Sequence, residues 1–213
     1  MRDPERKRSG LWAVVLAAAL ALLTGCAAPI TYPVQLAYDG HVPPAADETV
    51  AVGIQQFRDR RDTEDRFVVG YRQVGRGEGE RERYASSPDD VAQAVTRMTH
   101  ELIRQKGDVP GELEGWNYTP DQMMDLSTGF DILVGGDILR LRCNAEKRFM
   151  YTRMDLELEI VVYVGQVREG VVHRRPISMR TERVAATFGP RELQQFLNDM
   201  LSQALEKGCV DIP

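Results

Sequence analysis

Three cysteines, three histidines and two tryptophans in 213 residues leave little material for several kinds of chemistry. A disulfide-dense scaffold needs many more cysteines, and an odd number raises the question of what each one does. The chain holds 27 Lys and Arg against 32 Asp and Glu, a net charge of −5. That sign is wrong for a protein that follows a phosphate backbone, so nucleic acid is not an expected partner. No apolar run approaches the roughly 20 residues that a membrane-crossing helix needs. H-E-x-x-H, G-x-S-x-G and C-x-x-C are absent, so no metal, catalytic set or cofactor is expected from motif chemistry. What remains is 43% hydrophobic and 28% charged, an ordinary globular composition that excludes wholesale disorder and a multi-pass membrane protein.

The N-terminus is organised differently from the rest. Arg2, Arg6, Lys7 and Arg8 precede thirteen uncharged apolar residues, Leu11 to Leu23. This run is too short to span a bilayer and has the form of a signal-peptide core, so residues 1–25 are expected to be a leader. It ends in Leu23-Thr24-Gly25-Cys26, which resembles the bacterial lipobox. The resemblance implies that Cys26 is lipidated with diacylglycerol and anchors the chain to a membrane. Ala27 stands where an Asp would imply retention at the inner membrane. The implied location is therefore the outer membrane, facing the periplasm, with the inner membrane and the cell surface as alternatives. Removing residues 1–25, with four basic and two acidic side chains, leaves a net charge of −7. With Cys26 assigned to lipid, Cys143 and Cys209 remain. In an oxidising compartment they are expected to form a disulfide, and two buried free thiols are the alternative.

Residues 26–48 carry Pro29, Pro33, Pro43 and Pro44 without a period and read as the lipidated cysteine followed by a Pro-rich tether, with a short edge strand near Val34-Gln35-Leu36. Residues 49–213 read as one α+β periplasmic domain. Strands are expected at 49–54 and 66–71, then in three long antiparallel segments at 130–143, 149–167 and 175–188, with a turn near Gly170. Ser87-Pro88-Asp89-Asp90 followed by an apolar stripe predicts a helix over 88–106. Thr119-Pro120 starts a short helix over 119–127, and Gly189-Pro190 a third over 190–207. The expected fold is an antiparallel sheet of about four to five strands packed with two main helices. The glycine-spaced stretch from Gly75 to Gly79 lacks the Lys-Ser/Thr ending of a phosphate loop and reads as a loop tip.

Candidate binding chemistry concentrates in Arg58, Asp59, Arg60, Arg61, Asp62 and Arg66. Interleaved charges of this kind read as a solvated, salt-bridged loop or as a recognition loop whose arginines suit carboxylates and phosphates. Arg140, Arg142, Lys147 and Arg148 offer similar groups. Trp116, Tyr118 and Tyr151 could anchor a partner, although partial burial is the simpler expectation. His41, His100 and His173 are isolated from one another in sequence.

Val50-Ala51-Val52, Phe57-x-Asp59-x-Arg61 and Asp131-Ile132-Leu133-Val134-Gly135-Gly136-Asp137-Ile138, taken with the lipobox, resemble envelope lipoproteins of the YajG-like type. Related layouts occur in the N-terminal domain of TolB, the curli secretion lipoprotein and lipoprotein activators of penicillin-binding proteins. The resemblance implies a non-enzymatic role: binding an envelope protein or peptidoglycan, or serving as a subunit or accessory of an envelope machine, including as a homo-oligomer. An envelope hydrolase built on His100 or His173 is the remaining alternative.

Overall fold

A computed structural model describes residues 30–43, 49–74, 81–126, 129–186 and 188–209. The expected leader, Cys26 and the glycine-spaced stretch at 75–80 lie outside them. In chain order the first elements are β1 (Thr31–Val34), β2 (Ala51–Gln55), β3 (Arg58–Asp59), β4 (Val68–Gln73), β5 (Arg81–Ser86) and α1 (Val91–Gln105). They are followed by β6 (Val109–Leu113), α2 (Pro120–Leu126), β7 (Ile132–Lys147), β8 (Thr152–Gln166), β9 (Val171–Ala185) and α3 (Pro190–Gly208).

One strand organises the sheet. β7 pairs antiparallel with β8 over almost its whole length, and β8 with β9. The other edge of β7 is shared by three short strands that follow one another in the chain. β2, β3 and β4 all run parallel to it, opposite residues 132–134, 137–138 and 143–146. β6 extends β2 in parallel at one end. At the other end β5 is antiparallel to β4, and β1 is parallel to β5. The result is a nine-stranded mixed sheet that forks along β7. This corrects the expected antiparallel sheet of four to five strands.

Alternation in β8 shows which face is covered. Met154, Leu156, Leu158, Ile160 and Val162 are buried in the main core, where α3 packs on β8 and α1 on β2 and β6, while Asp155, Glu157 and Glu159 point the other way. α1 begins at Val91 instead of 88. Asp90 accepts from the Gln93 backbone N–H at 2.9 Å and Gln93 Oε1 accepts from the Asp90 N–H at 3.2 Å, a reciprocal cap that fixes the first turn there. On the opposite face, Leu113, Trp116, Tyr118, Met123 and Leu133 form a second, smaller core. Tyr118 lies flat on Tyr163 and its hydroxyl donates to the Gly136 carbonyl at 3.1 Å. Gly135 is required beneath it, since a Cβ there would sit 2.8 Å from the Tyr118 ring.

The stretch expected as a tether is largely part of the domain. Val34 and Leu36 are fully buried. The backbone N–H groups of Gln35, Ala37 and Asp39 donate to Gln194 Oε1 (3.0 Å), Asn198 Oδ1 (3.1 Å) and Ser202 Oγ (3.1 Å), and the Tyr38 hydroxyl donates to Glu206 (2.8 Å). These four partners recur every fourth residue along one face of α3, so the segment is strapped down the helix. Only residues 27–29 separate Cys26 from the described chain.

The expected disulfide is not formed. Cys143 and Cys209 are both buried free thiols, and burial pushes each up to about 12. Cys143 stands opposite Leu156 on β8, whereas Gly208, next to Cys209, packs on Val162. Six residues of strand are roughly 20 Å, far beyond the span of about 7 Å that a disulfide can bridge.

Candidate functional site

The charged segment after β2 divides into residues that build it and residues that it displays. The Arg58 guanidinium forks onto Asp137, Nε to Oδ1 at 2.6 Å and Nη2 to Oδ2 at 2.9 Å, and its Cζ lies 4.1 Å from the centre of the Tyr118 ring. Hydrogen bonding to Asp137 raises its pKa further, against the effect of burial. Arg61 forks onto Asp59 at 2.9 and 2.8 Å, and the two side chains are only 5% and 4% exposed. Burial alone would raise the Asp59 carboxyl, but the hydrogen bonds and charge of Arg61 outweigh it and hold the pKa below the ordinary value. Arg61 also donates to the carbonyls of Val68 (2.6 Å) and Arg66 (2.8 Å). One buried guanidinium thus closes the base of the loop from 60 to 67. Asp65 accepts from the Phe67 N–H at 2.9 Å and pairs with Arg83.

Three of the six expected recognition residues, Arg58, Asp59 and Arg61, therefore act inside the structure. Arg60, Asp62 and Arg66 are exposed. The loop walls a groove of about 760 Å³ on the uncovered face of the sheet, whose floor and far side come from Tyr71, Leu139, Arg140, Arg142 and Asp155. Leu139 reaches the surface because a bulge between Ile138 and Arg140 interrupts the β7–β8 register. Sequence alternation could not show this, since the bulge reverses which residues face out. Arg140 lies 3.0 Å from Glu159 and 3.8 Å from Glu157, and Arg180 reaches Glu157 at 3.6 Å, a ladder of charges across three strands. The groove is polar and lined by four arginines: Arg61 on Asp59, Arg140 beside Glu159, Arg81 on Gln73, and the exposed Arg142.

The other candidates lie elsewhere. Trp116 and Tyr118 are buried in the second core, and Tyr151 stands at the β7–β8 turn. His41 is exposed after β1, and His173 on β9 lies 3.1 Å from Gln166. His100 is half-buried on α1. Burial lowers its pKa, Arg104 acts in the same direction, and Glu112 opposes both. The three histidines occupy three separate elements. Among the described residues no group of three or more His, Cys, Asp or Glu could hold a metal ion, and no helix is long and apolar enough to cross a membrane.

Fold and groove together define an α+β domain: a mixed sheet with two helices on one face and a polar groove on the other. No protein-family profile matches the chain, and no curated protein matches it. Similar solved structures include the protein XCC0632 of Xanthomonas campestris, from the family DUF330, at 8% identity over 85% of this chain and 98% of that one, with a TM-score of 0.44. The lipoprotein GNA1162 of Neisseria meningitidis is similar at 6% identity over 72% of this chain and 96% of that one, with a TM-score of 0.40. The C-terminal domain of LpoB from Salmonella enterica is similar at 7% identity over 68% and 88%, with a TM-score of 0.31. Likeness at this level assigns no role, and the groove has to be read from its own residues.

Proposed function

We propose that this chain is a non-enzymatic, lipid-anchored protein of the bacterial envelope, facing the periplasm from the outer membrane, whose domain binds an envelope partner in the groove between the loop at 60–67 and β7. The observation that supports a binding role is the buried Arg61–Asp59 pair, which fixes one wall in advance. A preformed wall removes part of the ordering cost of association. The exposed Arg81, Arg140 and Arg142, which line the groove, favour a ligand bearing carboxylates, such as a peptidoglycan stem peptide or an acidic protein surface.

Two measurements test this reading. Metabolic labelling with palmitate should mark the wild-type chain and not Cys26→Ser. Crosslinking in native membranes should recover an envelope protein or glycan with the parent, and the double variant Arg140→Glu/Arg142→Glu should recover at least about tenfold less, the scale of one lost charged contact. Equal recovery by parent and variant would place the binding surface elsewhere and overturn the groove.

A further inference from the structure

The turn joining β7 to β8 is the most exposed apolar site in the described chain. Phe149 is 100% exposed and Met150 is 77% exposed. They sit in the four-residue connection Arg148–Tyr151, between the last ladder pair Lys147 and Thr152, where the Arg148 N–H donates to the Tyr151 carbonyl at 2.7 Å. Neither has a positive φ, so no glycine is called for there, but side chains that meet water in such a connection are ordinarily polar and these two are not. The connection at the other end of β8, from Val167 to Gly170, presents Arg168 and Glu169 to water. Turn geometry does not call for two exposed apolar side chains at the β7–β8 end.

Strand register says what lies beside the unusual end. Thr31 on β1 stands level with Arg83 on β5, Tyr71 on β4 and Asn144 on β7. β1 runs with β5, against β4 and β7, so the chain reaches Thr31 from the side of Lys147 and the tip. Cys26 is five residues before Thr31, a reach of at most about 17 Å in extended chain. Phe149 is five residues past Asn144, a rise of roughly 16 Å along a strand. The exposed Ile30, Val74 and Val184 belong to the same end, Val184 through its pairing with Arg153 opposite Glu146. Lys147, the last residue of β7, is exposed beside the tip.

We propose that the Phe149-Met150-Tyr151 tip enters the headgroup region of the phospholipid bilayer that holds the lipid at Cys26, so that the domain stands on the membrane at two points. This rests on the lipoprotein reading. Aromatic and apolar side chains beside a lysine are the composition that favours the interface. The anchor's short reach brings the bilayer to the level of the tip.

The test uses the full chain, purified from membranes and placed in phosphatidylethanolamine–phosphatidylglycerol vesicles. Phe149→Trp adds an indole at a side chain that packs on nothing, and circular dichroism matching the parent confirms the fold. The parent supplies the background of the buried Trp116 and, in any chain that keeps its leader, of Trp12. Intact mass reports lipidation on the same sample. With the diacylglycerol adduct present, the added indole should emit to the blue of its value in water and be quenched by lipids spin-labelled near the headgroup. Adduct present and water-like emission would overturn the second point of contact while leaving the anchor in place. A blue shift without lipid quenching would mark a protein partner at the tip and overturn the bilayer. Absence of the adduct would overturn the anchor, and with it the tip's membrane.

Discussion

Arg61 holds a carboxylate and two carbonyls at once, so its loss should be felt through the whole loop. Removing one partner of a buried ion pair costs about 3–5 kcal/mol. Arg61→Met and Asp59→Asn should therefore each lower the urea midpoint clearly, and a shift no larger than that of a surface substitution would show that the pair is not holding the loop. The pH dependence has a definite sign. The Asp59 pKa is lower in the fold than in the unfolded chain, so its contribution is present above the ordinary carboxyl pKa and fades as pH falls through the folded value. Acid should thus narrow the gap between the parent and Asp59→Asn. Cys143 and Cys209, pushed up to about 12, should resist Ellman's reagent at neutral pH and react fully, without any reductant, once the chain is unfolded. A chain needing reductant first would contradict the free thiols. The charge pattern at 58–66 was readable as salt-bridged in the sequence. Which arginine faces inward was not, because Asp137, the partner of Arg58, lies 79 positions away.

Helices with strong local signals were legible at the level of elements. α1 and α3 carry apolar stripes and start signals in adjacent residues, so periodicity alone locates them to within a few positions. The long strands β7 to β9 were legible for the same reason. Of the short strands, β2 and β4 were legible as strands and β1 as an edge strand nearby, but their parallel pairing was not, and β3, β5 and β6 gave no signal. β6 contains Pro110 and Gly111, which local chemistry assigns to a loop, yet it is tolerated as a sheet edge. β1 sits among prolines, and the segment that follows it, residues 35–39, is held by partners some 160 positions away on α3. The signal for it was present as the polar row Gln194, Asn198, Ser202 and Glu206, which has no meaning until a second chain segment is laid along it. Asn198→Ala leaves the Ala37 N–H without its acceptor, a loss of about 1–3 kcal/mol if that group stays buried. Limited proteolysis should then cut between residues 35 and 43 faster than in the parent, and unchanged cleavage would show that the apolar contacts of Val34 and Leu36 suffice.

At the scale of the whole molecule, two faces and one end carry different chemistry. One face of the sheet is closed by helices, the other holds the groove, and the end from which the chain enters β1 presents the apolar tip. The groove proposed to bind a partner and the tip proposed to meet a bilayer are carried by different side chains, and the Arg140/Arg142 and Phe149 variants should separate the two proposals. The forked sheet has a further bearing on how the chain reaches this form. β2, β3 and β4 are made early but share no edge with one another, and each needs β7, which follows some 60 to 80 residues later. A nascent chain that ends before residue 132 can pair β4 with β5, β1 with β5 and β2 with β6, but has nothing to join these pieces into one sheet. Such long-range closure is slow, on the order of milliseconds to seconds. Until β7 emerges these pieces have no common edge to close on, and a chain not yet closed is the form that a narrow translocation channel can thread.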